Sequence, residues 1–247
     1  MLACQGSAQA SPEDPARFAQ WVVHDAVAAA KAMATQRTAV IAGGAAGVVL
    51  LLSQVDQPVT ESAVVFAERM PQRMRRVLHE AGNVKVVRPL AVGFFLGSLA
   101  SGSERLQDAA FTSVQAIIYS NLVSNGLKLV AGRARPGANM GPGSFSPFSG
   151  RRSFPSGHAT TVFAFTVPWL AYYPRVETYA FFLLGIGTAF VRIADNHHWL
   201  TDVTTGAFIG ATTGYLLSRR HLRLHTHLRL SPVVTSGGAG IRAAVSL

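Results

Sequence analysis

With 247 residues, 49% of them hydrophobic and 14% charged, the chain can bury one substantial core or thread a membrane, and one domain is the default. A single cysteine, Cys4, excludes an intrachain disulfide framework and a cysteine-built metal site. The formal net charge of +10 invites nucleic acid, but the basic residues are scattered, with no basic helix and no aromatic-basic alternation. No nucleic-acid partner is therefore expected, and membrane lipids or a phosphate substrate explain the excess better.

Met1 to Asp14 is small, polar and proline-containing, and reads as a disordered lead. Leu2-Ala3-Cys4 is faintly like the end of a lipoprotein signal, but no charged region or apolar core precedes it, so the match reads as chance unless the true start lies upstream. Ala16 to Thr35 reads as an amphipathic helix with Phe18, Trp21, Val22 and Val27 on its apolar face. Thr38 to Val55 is an 18-residue run without charge and the best early candidate for a membrane span; a signal anchor or a buried helix has the same composition. Glu61 to Glu80 mixes apolar residues with Arg69, Arg73, Arg75 and Arg76 around Pro71, as an interfacial helix or a solvated basic face would. Pro89 to Gly102 is a compact apolar helix. Leu106 to Ala131 is a long one that carries Lys128 near its end.

Gly137 to Phe154, rich in glycine, proline and serine, is expected to be a flexible loop placed where a lid would be, with Arg151 and Arg152 as steering charges. A plain linker has the same composition. Three apolar runs follow: Ala159 to Tyr173, Thr178 to Val191 and Val203 to Leu217. At about 1.5 Å per residue each covers roughly 22 Å, short of the ~30 Å hydrocarbon core unless their polar ends extend them. Beyond them the tail alternates apolar and polar residues from Leu222 to Leu230, and Val233 to Leu247 reads as a β-hairpin around Gly237-Gly238.

Charge and titratable groups recur at defined spacings between these runs: Lys128 with Arg135-Pro136, then Pro155-Ser156-Gly157-His158, then Arg192, His198 and Asp202. Residues four apart share a helix face, so Asp202 can reach the ring of His198, whereas His197 has Thr201 at the same offset. A carboxylate on one ring nitrogen sets the tautomer and frees the other nitrogen to attack, which makes His198 the expected nucleophile and Asp202 its orienter. Taken alone, such a pair more often braces or caps a helix. Ser156 is a good N-cap, and a helix starting there points free N–H groups at one spot favourable to an anion. His158 would stand beside that anion, able to protonate a leaving oxygen. Lys128, Arg135 and Arg192 supply the positive charge that phosphoryl transfer needs, although each alone could be an ordinary helix-end cation.

K-x6-R-P, P-S-G-H and R-x5-H-x3-D in this order resemble the three motifs of the type 2 phosphatidic acid phosphatase and vanadium haloperoxidase superfamily. The resemblance implies that Lys128, Arg135 and Arg192 bind phosphate and that Ser156 and Gly157 donate hydrogen bonds to it. It also implies that His158 is the general acid, that His198 forms a phosphohistidine, and that Asp202 orients His198. One position departs: Val191 stands where the family usually has serine before the third-motif arginine.

The expected architecture is an all-α bundle of five to six core helices, membrane-embedded or membrane-associated, with the C-terminal hairpin appended. Residues 1–37 would form the lead and amphipathic helix, 38–220 the phosphatase-like domain and 221–247 a basic tail. The expected reaction is metal-independent hydrolysis, without a cofactor, of a phosphomonoester or pyrophosphate carried by a lipid or a small phosphate ester. Alternatives are a vanadate-dependent haloperoxidase, a non-specific acid phosphatase acting on soluble esters, and a binding protein that turns nothing over. Arg219, Arg220, Arg223, Arg229 and Arg242, with no acidic residue after Asp202, would keep the tail cytoplasmic and turn the site to the periplasm or exterior. The basic segment from Glu61 to Arg88 weighs against that orientation, and a periplasmic protein anchored only by an N-terminal helix is the other arrangement considered.

Overall fold

The computed structural model describes residues 16–33, 35–225, 227–235 and 238–246. Among them the chain forms α1 (Ala16–Met33), α2 (Gln36–Leu52), α3 (Asp56–Glu68), α4 (Gln72–Ala81), α5 (Val84–Ser98), α6 (Glu104–Ala131), α7 (Gly157–Tyr172), α8 (Val176–Ala194) and α9 (Leu200–His225). Two strands follow, β1 (His227–Thr235) and β2 (Gly238–Ser246), paired antiparallel with His227 opposite Ser246 and Thr235 opposite Gly238. The expected lead over residues 1–14, with its lipoprotein-like Leu2-Ala3-Cys4, lies outside the described residues.

Six helices share the core. Ala63, Phe163, Ile193 and Val203 join α3, α7, α8 and α9 in one apolar cluster. Val87, Ile117, Val162, Phe165 and Leu217 join α5, α6, α7 and α9 in another. Outside these, Phe18 and Trp21 of α1 pack on Phe111 of α6. The all-α bundle is as the sequence indicated.

Helix ends follow local chemistry. Ser103 caps α6 by accepting from Leu106 N–H at 3.4 Å, and Asn83 caps α5 by accepting from Lys85 N–H at 3.0 Å. Pairing of α7 with α9 depends on small residues. A Cβ at Gly206 would lie 2.4 Å from the Ser156 carbonyl oxygen, and one at Gly210 would lie 2.2 Å from that of Thr160. Glycine at this spacing lets the two backbones approach closely.

Several expected boundaries change. The run from Thr38 to Val55 is α2 ending at Leu52 plus a 3₁₀ turn, Ser53–Val55. The Glu61–Glu80 segment is two helices, because Pro71 cannot continue α3 and instead precedes α4. Leu222 is still in α9, so the alternating stretch begins as helix and the hairpin starts at His227. The 137–154 loop is anchored and not a loose linker. Gly132 ends α6 in the left-handed conformation at φ +55°, and Ser146 N–H, Phe148 N–H and Ser153 N–H donate to the carbonyls of Gly132, Leu129 and Arg133.

The surface reverses the usual distribution. Leu51, Leu122, Val176, Leu183, Phe208 and Leu216 are among many large apolar side chains that are more than half exposed. Large apolar side chains exposed in such number are unusual for a monomer in water. By length and composition, α8 is long and apolar enough to cross a membrane, with a mean hydropathy of 1.4.

Candidate phosphate site

The second and third motifs meet through the backbone. Ser156 N–H donates to the Asp202 carbonyl at 2.8 Å, and Ser156 Oγ accepts from Ala159 N–H at 3.5 Å as the cap of α7. The Ser156 N–H is therefore committed inside the fold, and the Oγ–H is the donor that Ser156 has left for a phosphate. Gly157 and His158 retain the first-turn amides that an α-helix leaves without internal partners. Lys128 arrives from α6, where its Nζ donates to the Pro155 carbonyl. A Cβ on Gly157 would stand 3.7 Å from Lys128 Cε, an ordinary contact, so the lysine stem runs directly beside the start of α7.

His198 lies in the short connection between α8 and α9 and is 2% exposed. Its Nδ1 is 2.8 Å from the Ser153 carbonyl oxygen and 3.7 Å from Asp202 Oδ2. A carbonyl can only accept, so Nδ1 carries the proton and Nε2 holds the lone pair. The sequence pointed to Asp202 alone; the Ser153 carbonyl makes the shorter contact to the ring, and Asp202 stands just behind it. Asp202 Oδ2 accepts from Ser153 Oγ–H at 2.5 Å and from Trp199 N–H at 2.9 Å. The capping role and the orienting role thus coexist in one side chain.

Burial holds the His198 imidazole below the ordinary histidine range; the Asp202 carboxylate opposes this shift, and the Lys128 and Arg192 cations reinforce it. At neutral pH the ring is uncharged, as a nucleophile must be. His197, in the same connection, is also held low, chiefly by burial and then by Arg192 and Arg135, and its Nδ1 is buried without a hydrogen-bond partner among the described residues.

Arg133, which the motif reading passed over, organises the rear of the site. It is wholly buried, donating from Nη1 to Asp202 Oδ1 at 2.7 Å and to Thr201 Oγ1 at 2.6 Å, and from Nη2 to Asp56 Oδ2 at 2.6 Å. Its Nε reaches the Pro142 carbonyl at 2.9 Å. Asp56, on the first turn of α3, also accepts from Thr201 N–H at 2.8 Å. Two carboxylates and one guanidinium compensate each other in a dry place, which fixes Asp202 before any ligand arrives. The sequence signal was faint: Arg133 lies two residues before Arg135, and Asp56 is a lone acid closing an apolar run.

The front of the site is cationic and open to partners. Arg192 is 5% exposed, its Nη1 lies 3.2 Å from His79 Nε2, and its Nε is buried without a partner among the described residues. Arg135 is exposed, and its charge acts on Lys128, Arg192 and His197. His158 is half-buried, and burial first, then the fields of Arg192, His198, His79 and His197, push its imidazole down to about 3, so the proton it is expected to donate has to be stabilised by a bound phosphate dianion. His79 belongs to α4 and was not anticipated. Val191 is fully buried. Asp195 is occupied by Arg75, whose Nε donates to it at 3.0 Å. Beside the site a cavity of about 620 Å³ is lined by Gln57, Thr60, Asn139, Asn196 and Trp199, among others.

These features define an α-helical bundle that brings cationic side chains and a buried, oriented imidazole to one end. Residues 109–225 match the family model of the PAP2 superfamily, which bears out the resemblance drawn from the three motifs. Lipid A 1-phosphatases from Rhizobium johnstonii and Rhizobium etli are each 36% identical over 121 residues, which is 47% of this chain and 49% and 52% of theirs. The match therefore spans about half the length of these curated relatives. Two solved structures share the fold: Aquifex aeolicus LpxE, at 21% identity, TM-score 0.50 and 67% of this chain and 95% of that one, and a PAP2 type phosphatidylglycerolphosphate phosphatase from Bacillus subtilis, at 16%, 0.53, 85% and 98%.

Proposed function

We propose that the chain is a membrane phosphatase hydrolysing a phosphomonoester or pyrophosphate, most readily of a lipid, through a phosphohistidine on His198 and without a metal ion. The observation carrying this reading is the pairing of a fixed Nδ1–H···Ser153 bond with an Nε2 that makes no hydrogen bond among the described residues, next to a guanidinium nitrogen of Arg192 lacking a partner.

Nε2 attacks phosphorus while Lys128, Arg135 and Arg192 balance the charge spread over the equatorial oxygens, with the Gly157 and His158 amides at the helix start. His158 gives its proton to the leaving oxygen, and the ester bond breaks as the N–P bond forms. Water, giving its proton to His158, then attacks phosphorus; the N–P bond breaks and phosphate leaves. Asp202, held by Arg133, stabilises the imidazolium-like ring throughout. The cavity beside Asn196 and Trp199 is the place for the rest of the substrate.

The names of the two Rhizobium relatives favour a lipid, as does the exposed apolar surface. The proposed location is an inner membrane of bacterial type, with the Arg219–Arg223 end cytoplasmic and the site facing the periplasm or exterior. The decisive experiment offers phosphatidic acid, lysophosphatidic acid, phosphatidylglycerophosphate, lipid A, polyprenyl pyrophosphate and an aryl phosphate to the purified protein, with and without EDTA. Retention of ³²P on His198 after acid-free quenching is expected. Activity that vanishes with EDTA and returns with a divalent cation would overturn the mechanism.

A further inference from the structure

At the end of α9 remote from Asp202, a cavity of about 700 Å³ opens between α1, α6 and α9. Tyr119, Val123 and Leu216 give it an apolar wall, and Arg219, Arg220 and Arg223 a cationic rim. Its inner side is a settled polar cluster in which Asp25 accepts from Arg220 Nε at 2.6 Å and from Gln115 Nε2 at 2.8 Å, with His221 Nε2 at 2.8 Å. The charge of Asp25 is thereby answered by Arg220, leaving Arg219 and Arg223 in surplus. Among the described residues Arg219 is held by Tyr215, 5.6 Å from the ring centroid, and Arg223 is exposed; neither has an ion pair there.

Depth along the bundle supplies the second argument. Arg219 and Arg223 follow Asp202 by 17 and 21 residues on one helix, or about 26 and 32 Å at 1.5 Å per residue. A hydrocarbon core is about 30 Å thick. With the phosphate site at one interface, these arginines reach the headgroup layer of the other.

We propose that this cavity binds an anionic phospholipid of the leaflet opposite the phosphate site, its phosphate on Arg219 and Arg223 and an acyl chain against Tyr119, Val123 and Leu216. The lipid seals α1 onto α6 and α9. An anion without a chain would leave the apolar wall uncovered, and a zwitterionic lipid would bring a cation to the arginines. The proposal rests on the membrane reading above but not on catalysis.

The test is thermal unfolding of the full chain in neutral detergent micelles containing phosphatidylglycerol, phosphatidylcholine or water-soluble glycerol phosphate. Phosphatidylglycerol is a phosphodiester and offers no monoester to hydrolyse. It is expected to raise Tm by about 4 °C, with no shift from the other two. The shift should persist in His198→Asn, disappear in Arg219→Gln/Arg223→Gln and survive in Arg219→Lys/Arg223→Lys, while the glutamine variant keeps its lipid-free Tm and aryl phosphate turnover. An equal shift from phosphatidylcholine or glycerol phosphate, or a shift undiminished in the glutamine variant, overturns the proposal. Loss of aryl phosphate turnover in the unaltered protein would instead count against the phosphatase reading and leave the lipid shift intact.

Discussion

At each end of α9 an aspartate, a histidine and an arginine come together, and the comparison separates a histidine with one ring nitrogen unbonded among the described residues from one with both bonded. At the first end, His198 uses Nδ1 on the Ser153 carbonyl and leaves Nε2 without a partner among the described residues. At the second, His221 uses both nitrogens, Nδ1 with Thr112 Oγ1 at 2.8 Å and Nε2 with Asp25 Oδ2 at 2.8 Å, under the stacked ring of Trp21 at 3.9 Å. The hydroxyl, imidazole and carboxylate of Thr112, His221 and Asp25 stand in the order of a catalytic triad, but Thr112 is wholly buried and has no substrate to meet. Burial and a carboxylate are common to both; a free ring nitrogen beside unpaired cations belongs to one. The first cluster is the one proposed to receive an anion, and the second links α1 to α6 and α9.

Substitutions can break this contrast. His198→Asn is expected to cost at least about 10⁴-fold in kcat/KM on a phosphomonoester with Tm unchanged; comparable turnover would remove His198 as nucleophile. Arg133→Met leaves Asp56 and Asp202 facing each other uncompensated, so chemical denaturation should show a loss of about 3–5 kcal/mol. Asp202→Asn should lower kcat by about 10²–10³, less than the ~10⁴ of a serine-protease triad, because the Ser153 carbonyl still fixes the tautomer. His221→Phe should destabilise by about 1–3 kcal/mol by orphaning Asp25 and Thr112, with kcat preserved. A collapse of kcat there would end the distinction between the two ends.

The smallest effect concerns pH. Under the proposed mechanism His198 attacks as the neutral ring, so activity is expected to fall on the acid side as that ring protonates, below the ordinary histidine range because its pKa is held low. Lys128 is one of the cations holding it low, so Lys128→Met should move the acid limb of the kcat/KM profile to higher pH. A limb that stays put or moves down would show that the titrating group lies elsewhere.

Most of the front of the site was legible because its residues carry charge between apolar runs: Lys128, Arg135, His158, Arg192, His198 and Asp202 announce themselves by composition and spacing. The rear was not. Arg133 and Asp56 are 77 positions apart, and nothing local couples a lone acid at the start of α3 to an arginine after α6. The Ser153 carbonyl was illegible for another reason: a backbone acceptor has no residue type, so its aim depends on how the loop folds back along α6. Helix order could be read from hydropathy and breakers; helix number could not, because the split at Pro71 was read as an interruption of one helix. The glycines of α9 could have shown which face meets α7, had their spacing of four been weighed as a contact surface.

Asp202 and His221 are nineteen residues apart on one unbroken helix, a span of about 28 Å. A rod of that length, pinned by ionic clusters at both ends, cannot shorten or stretch to suit its surroundings, so hydrophobic mismatch is relieved by tilting. Tilt carries the 195–199 connection with it and changes the height at which His198 meets a bilayer-borne phosphate. Turnover of such a substrate should therefore peak at one acyl-chain length, while turnover of a freely diffusing ester stays level.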